Sequence, residues 1–266
     1  MAVNPAAPSH LPGLAVRLRR WLRRAWTGRR RRVRFSRQFD RFSRMPGAER
    51  FDLRWEERLP CLDDDTGITR FDRHYVYHPA WAARILRRTA PAVHVDIGSS
   101  LFFVSVVSAF VPTRFYDYRP AELHLEGLES GSADLTKLPF DDRSIASLSC
   151  MHVVEHIGLG RYGDPLDPNG DLTAMRELQR VLAPGGDLLF VVPVGRPQLR
   201  FNGLRIYAYE QVVQGFPELC LEEFALIPER GPEGLVVGAG PEHVAREHHA
   251  CGCFWLRRPL PAEEVA

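Results

Sequence analysis

The sequence predicts an α/β fold: a doubly wound, mostly parallel sheet with helices on both faces. Three observations carry this. Short apolar runs that read as strands alternate with helical patterns along the chain. The run VHVDI, Val93 to Ile97, opens directly into the turn Gly98-Ser99-Ser100 and the apolar stretch Leu101 to Val111, as a buried parallel strand does when it feeds a helix. The composition, 45% hydrophobic and 26% charged over 266 residues, is that of an ordinary globular chain with room for one full domain and an appendage.

Charge is unevenly spread. Residues 1–50 hold fourteen arginines against Asp40 and Glu49, a net +12, so the remainder carries 2 − 12 = −10. Residues 1–45 therefore read as a basic arm, 46–78 as a connector, 79–258 as the main domain and 259–266 as a tail. Residues 1–13 read as disordered. Leu14, Leu18, Trp21, Leu22 and Ala25 share one helical face and Arg17, Arg20, Arg23 and Arg24 the other, with Gly28 expected to end the helix. A basic amphipathic helix bearing tryptophan suits an anionic membrane surface, through residues 14–37. A solvated or partner-docked helix and an organelle-targeting segment stay open, and the acidic body argues against an extended nucleic-acid groove. No secretory signal is visible, and the longest apolar run is about half the roughly 20 residues needed to cross a bilayer. Five scattered cysteines make no disulfide framework and suit a reducing compartment, so the expected location is cytoplasmic, peripheral at a membrane through the arm.

The elements follow in order. His78-Pro79 opens a helix whose buried stripe is Trp81, Ile85 and Leu86. The strand at Val93 follows, then a second strand, TRFYD, ending in Asp117, and a short helix over residues 120–127. A turn at Asp141-Asp142 leads to a strand from Ser144 to Cys150. After the loop GLGRYGDPLDPNGD, Asp171 caps a helix to Leu182, and Pro184-Gly185-Gly186 turns the chain into a strand from Asp187 to Val192. Residues 209–216 read as a helix, and residues 221–228 and 252–257 as the last two strands.

Three acids stand at matching places: Asp96 and Asp117 near strand ends, and Asp134 in a loop one crossover later. Open α/β sheets bind ligands at the carboxyl ends of their strands, and a carboxylate ending the second strand suits a ribose diol. The ordered pieces VDIGSS, YD, ADLTKLPFDD, SLSCMHVVEH and ELQRVLAPGGDLLFVVPVG resemble the class I S-adenosylmethionine-dependent methyltransferases. Within that superfamily, EHIGLGRYGDPLDPNGD followed by VPVG, FN and RIY resembles the DUF268 group. The resemblance implies a seven-stranded Rossmann-like sheet and S-adenosyl-L-methionine as cofactor. It implies cofactor contacts from Asp96, Gly98, Ser99, Ser100, Asp117, Asp134, Leu135, Met151 and His152. It departs from the family at the first turn, where Ser100 and Phe102 replace the later glycines: either Ser100 bonds the cofactor carboxylate or the site is narrowed.

Methyl transfer is an in-line displacement in which positioning does most of the work, and a hydroxyl acceptor also needs a base. His156 is the candidate base with Glu155 beside it, the other reading being that the two hold the following loop. Arg161, Tyr162, Asn202, Arg205 and Tyr207 are candidates for substrate contact. The expected reaction is O-methylation of a small-molecule or glycan-type acceptor, and the alternative is a non-catalytic methyltransferase-like scaffold at a membrane. No metal is expected. His152-x-x-Glu155-His156 matches an inverted zinc-protease pattern but follows a strand, where that pattern needs a helix. Cys251 and Cys253, near His248 and His249, fall on the final strand, where alternate residues face the core. Asp164, Asp167, Asn169 and Asp171 read as a polar helix-entry loop, because the glycine is misplaced for a calcium loop.

Overall fold

The computed structural model describes residues 14–261, so the disorder expected of residues 1–13 and the end of the tail lie outside the described residues. The chain divides into two units, one ending at Arg70 and one beginning at Phe71.

In the first unit, α1 spans Leu14–Phe42. Gly28 does not end it. A glycine inside a helix costs only about 1 kcal/mol relative to alanine, and arginine, which follows it four times, is a good helix former. Contacts within the unit also secure the helix beyond Gly28. Arg31 and Arg34 pair with Asp63 and Asp65, and the Phe39 ring meets Trp55 edge-on with centroids 5.0 Å apart. Nearer the start, Leu18, Trp21, Leu22 and Trp26 are exposed.

The second unit opens with α2, Arg73–Thr89, capped by Asp72, whose side chain accepts from the Tyr75 amide. This helix begins before the expected start, and Pro79 lies inside it. Proline has no N–H to bond the carbonyl one turn back, yet the helix continues because Trp81, Ala82, Ile85 and Leu86 bury its inner face. The strands are β1 (His94–Ile97), β2 (Thr113–Asp117), β3 (Leu128–Ser132), β4 (Ile145–Met151), β5 (Leu182–Val194), β6 (Gln198–Arg200), β7 (Leu204–Ile206), β8 (Cys220–Ile227), β9 (Val236–Val237) and β10 (Ala250–Arg257). The remaining helices are α3 (Leu101–Val107), α4 (Gly170–Val181), α5 (Tyr209–Gly215) and α6 (Pro241–Val244).

The main sheet runs β3-β2-β1-β4-β5-β10-β8-β9, and β6 and β7 form a separate hairpin. Strands β3, β2, β1, β4 and β5 pair in parallel, and β10 is antiparallel to both β5 and β8. This is the doubly wound, mostly parallel sheet that the alternation predicts, with β9 added as a two-residue edge. One face packs Met175 and Leu178 of α4 and Val212 of α5. The other packs Trp81, Ile85 and Leu86 of α2 and Phe103, Val104 and Val107 of α3. The order reverses at β1, with β2 on one side and β4 on the other, which makes the ends of these strands the switch point where such sheets open a crevice.

Three further expectations change. No helix forms over 120–127; the segment is a loop closed by a bridge between Leu125 and Leu128, and β3 follows it. Asp171 does not cap α4 but lies in its first turn, where its carboxylate accepts from the Tyr207 hydroxyl at 3.0 Å and pairs with Arg205. Strand β5 begins at Leu182, ahead of the Pro-Gly-Gly turn, because Ile145 of β4 already pairs with Leu182 and the register shifts past the turn.

Candidate functional site

A cleft of about 330 Å³ opens at the carboxyl ends of β1, β2 and β4. Its size is within the usual range of small-molecule sites, about 300–1,000 Å³. Gly98 forms its floor. The residue has φ +69°, and a Cβ there would stand 3.1 Å from the Val153 methyls and 3.6 Å from Asp117 Oδ2. Only a glycine holds this turn without strain while leaving the space above it open.

The turn is tied down from below by Asp96, which does not line the cleft. Asp96 is fully buried; its Oδ1 accepts from the Ser99 amide at 3.0 Å and its Oδ2 from the Ser149 hydroxyl. Ser149 also bonds His94 Nε2, and Ser147 bonds His94 Nδ1, each at 2.8 Å. Burial pushes the Asp96 carboxyl up to about 6 and the His94 imidazole down to about 3. The Ser99 hydroxyl accepts from the Met151 amide, which joins the turn to the end of β4.

Two acids do line the cleft. Asp117 Oδ1 accepts from the Arg119 amide at 2.8 Å, and Asp134 Oδ1 accepts from the Thr136 amide at 2.8 Å and its hydroxyl at 2.7 Å. Both are side-chain turns that fix one oxygen of a carboxyl that lines the cleft. Leu135 and Ala133 supply apolar wall, and His152, His156 and Tyr162 line the side nearest β4.

His156 is held by the Gly203 carbonyl, 2.7 Å from Nδ1. A carbonyl only accepts, so Nδ1 carries the proton and Nε2 the lone pair. Arg161 Nη1 lies 3.1 Å from Nδ1 and also donates to Gly203. Glu155 stands behind both histidines, 1% exposed, with Oε1 2.9 Å from His152 Nδ1 and 3.7 Å from His156 Nε2.

Of the residues singled out from sequence, the structure brings Gly98, Asp117, Asp134, Leu135, His152, His156 and Tyr162 into the cleft. Asp96, Ser99, Met151 and Glu155 lie beneath it, buried. Ser100 and Phe102 line a different groove with Tyr75 and Pro79, so the exchanged glycines do not narrow the cleft. Arg205 and Tyr207 are buried braces: Arg205 donates to the carbonyls of Ile157 and Pro168, and Tyr207 to Asp171, which supports the cleft loop from outside. Asn202 donates to the Leu159 carbonyl at 3.4 Å.

Arg119 and Asp164 also line the cleft. The Arg119 guanidinium lies 4.4 Å over the Tyr162 ring and so joins the loop after β2 to the loop after β4. Its position two residues past a strand-end acid was the available signal. Asp164 accepts from the amides of Gly158 and Tyr162 at 2.8 and 3.1 Å; partial burial opposes its charge, but these amides hold the carboxyl below its usual range. Asp164 thus folds the loop on itself. Gly158 lets the loop close, because a Cβ there would meet the Asp167 carbonyl at 2.0 Å.

Comparison with known proteins bears on this region directly. Residues 140–217 match the family described as "Caenorhabditis protein of unknown function, DUF268". The matched stretch lies within the doubly wound, mostly parallel α/β sheet of the second unit. It spans β4, the cleft loop, α4, β5, the β6–β7 hairpin and α5, and so holds His156 together with Arg205 and Tyr207. Three solved structures are similar in fold. The N-methyltransferase NodS from Bradyrhizobium japonicum, in complex with S-adenosyl-L-homocysteine, is 16% identical with a TM-score of 0.49, over 84% of this chain and 97% of that one. The 1,6-didemethyltoxoflavin-N1-methyltransferase of Burkholderia thailandensis is 12% identical with a TM-score of 0.49, over 68% and 78%. The [4+2]-cyclase SpnF is 15% identical with a TM-score of 0.48, over 69% and 81%. A search of curated proteins found no match.

Proposed function

We propose that this chain is an S-adenosylmethionine-dependent O-methyltransferase acting on a small-molecule or glycan-type acceptor. The observation that supports it is the pairing of Asp117 and Asp134 across one cleft above the Gly98 turn, each with one oxygen fixed. Asp117 would accept from a ribose diol, and Asp134 with the Leu135 amide would hold adenine. Gly98 would let the methionine part lie against the backbone. Bound there, the cofactor supplies a methyl group on a sulfonium.

His156 would take the acceptor's proton at Nε2, while its Nδ1–H stays on Gly203 and Glu155 Oε1 stands 3.7 Å from Nε2. Arg119, Tyr162 and Asp164 give the acceptor side a polar wall, which suits a hydroxylated molecule. The test is calorimetry with S-adenosylhomocysteine. Saturable binding by the full chain is expected, and no binding at millimolar ligand would leave the non-catalytic scaffold reading in its place.

For the arm, the proposal is a peripheral role at an anionic membrane. It draws on the exposed Leu18, Trp21, Leu22 and Trp26 of the arginine-rich α1. No helix among the described residues is long and apolar enough to cross a membrane.

A further inference from the structure

Beside the cleft, four histidines and a cysteine meet from three parts of the second unit. His74 and His78 lie on α2, His152 follows β4, His249 precedes β10 and Cys251 lies on β10. The His74 and His152 rings stack with centroids 5.6 Å apart and planes 6° from parallel. The His249 ring lies 5.5 Å from His74, and the His78 ring 5.0 Å from His152. Among the described residues, His74, His152 and Cys251 form the one group whose ligand atoms all lie within 4.8 Å of one another.

Three details show that the group is arranged around His152. First, Glu155 Oε1 accepts from His152 Nδ1 at 2.9 Å, so the ring's lone pair sits on Nε2, 3.4 Å from Cys251 Sγ. Two donors on a tetrahedral ion, with metal–nitrogen near 2.0 Å and metal–sulfur near 2.3 Å, stand about 3.5 Å apart. A carboxylate behind a ligating histidine is the usual support of such a site. Second, Glu155 is buried and its Oε2 has no hydrogen-bond partner, so a buried carboxyl oxygen lacks compensation. A dication on the far side of His152 would supply it. Third, His152 holds φ +59°, in the left-handed region that few side-chain-bearing residues adopt.

We propose that His74, His152 and Cys251 form a binding site for a zinc-type divalent cation, with Glu155 orienting His152. Two imidazoles and a thiolate select a borderline-soft metal over magnesium or calcium. Binding replaces the Cys251 thiol proton, which leaves to solvent, by a sulfur–metal bond. Three protein ligands leave a fourth position for water or His249, the pattern of sites that keep an open coordination place. His152 also lines the cleft, so the ion would stand at its edge. The site does not use the HxxEH pattern, since His156 is not among the residues whose ligand atoms converge. It is also independent of the methyl-transfer reading.

The full chain, purified without a histidine tag and stripped with chelator, would be titrated with Zn²⁺ by calorimetry and loaded with Co²⁺ for absorption spectroscopy. One Zn²⁺ per chain at micromolar or tighter affinity is expected, with a thiolate-to-cobalt charge-transfer band. Cys251→Ser should abolish the band and weaken Zn²⁺ about 100-fold or more, and Glu155→Gln should weaken it roughly 10- to 100-fold. His74→Ala and His152→Ala should weaken it at least as much, while Cys220→Ser and His243→Ala leave it unchanged. The proposal is overturned if the wild-type chain takes up no Zn²⁺ at about 100 µM, if Co²⁺ binds without the thiolate band, or if His74→Ala and Cys251→Ser bind as wild type. The wild-type cobalt spectrum decides even where a variant fails to fold. S-adenosylhomocysteine binding on the same samples separates the outcomes: its loss with Zn²⁺ retained counts against methyl transfer alone.

Discussion

Asp117→Asn isolates the contact on which the cofactor reading depends. In the wild-type chain Oδ1 accepts from the Arg119 amide at 2.8 Å and Oδ2 turns toward the Gly98 floor. Asparagine has the same shape. The Arg119 N–H needs an acceptor, so the amide oxygen takes the Oδ1 place and the NH₂ group takes the Oδ2 place. A donor then meets the ribose hydroxyls where an ionised acceptor stood. A hydrogen bond to a charged group contributes about 1.5–3 kcal/mol, so the loss should weaken S-adenosylhomocysteine roughly 10- to 150-fold. Because the turn bond to Arg119 survives and Asp117 is only half-buried, the melting temperature should stay within about 2 °C. Calorimetry at fixed salt, with thermal melts of the same samples, reads both quantities. Binding within threefold of wild type would refute the ribose role. A fall of many degrees would show instead that Asp117 braces the fold.

Four further outcomes can be checked. Gly98→Ala places a Cβ at φ +69° and 3.1 Å from Val153, so denaturant unfolding should show a loss of about 1–2 kcal/mol, together with weaker S-adenosylhomocysteine binding. His156→Ala should hold cofactor affinity within about threefold and slow methyl transfer roughly 100-fold or more; loss of binding instead would make it a loop brace. His94 is held near 3 against an ordinary 6.5, so its contribution to stability is present above about 6.5 and lost as pH falls toward 3. Asp96, raised to about 6 from 3.8, acts in the opposite sense over a shorter span, so from pH 6.5 to 4 these two groups should lower the denaturation midpoint slightly in the wild type, and Asp96 alone should raise it in His94→Asn. Trp21→Ala should weaken co-sedimentation with anionic vesicles, which salt should also reduce; equal binding to neutral vesicles would sink the membrane role.

What the sequence determined by itself is what neighbours in the chain decide. The apolar run into Gly98, the acid closing TRFYD, and Asp134 two residues before the amide it caps are local chemistry, and the structure puts all three at one cleft. The apolar alternation likewise determined a mostly parallel sheet. It did not disclose β3, whose LESGS run is polar because the strand lies on an exposed edge, nor the short β6–β7 hairpin. Helix ends also escaped it: α1 passes Gly28 and α2 contains Pro79, since ion pairs, ring contacts and burial outweigh a single residue's propensity.

The division of labour within the site was decided only by tertiary structure. Arg205 and Tyr207 read as surface groups that could meet a substrate, yet both are buried on Asp171 and the backbone of the cleft loop. Ser100 and Phe102 read as a threat to the cofactor site, yet they face another groove. His74, His152 and Cys251 belong to no common motif. They meet because α2 packs on the sheet face where β4 ends and because β10 inserts between β5 and β8 in the opposite direction. Turn and strand preferences act over a few residues and leave a local record in sequence. A contact between elements distant in the chain depends on strand order and helix packing, which no short stretch contains.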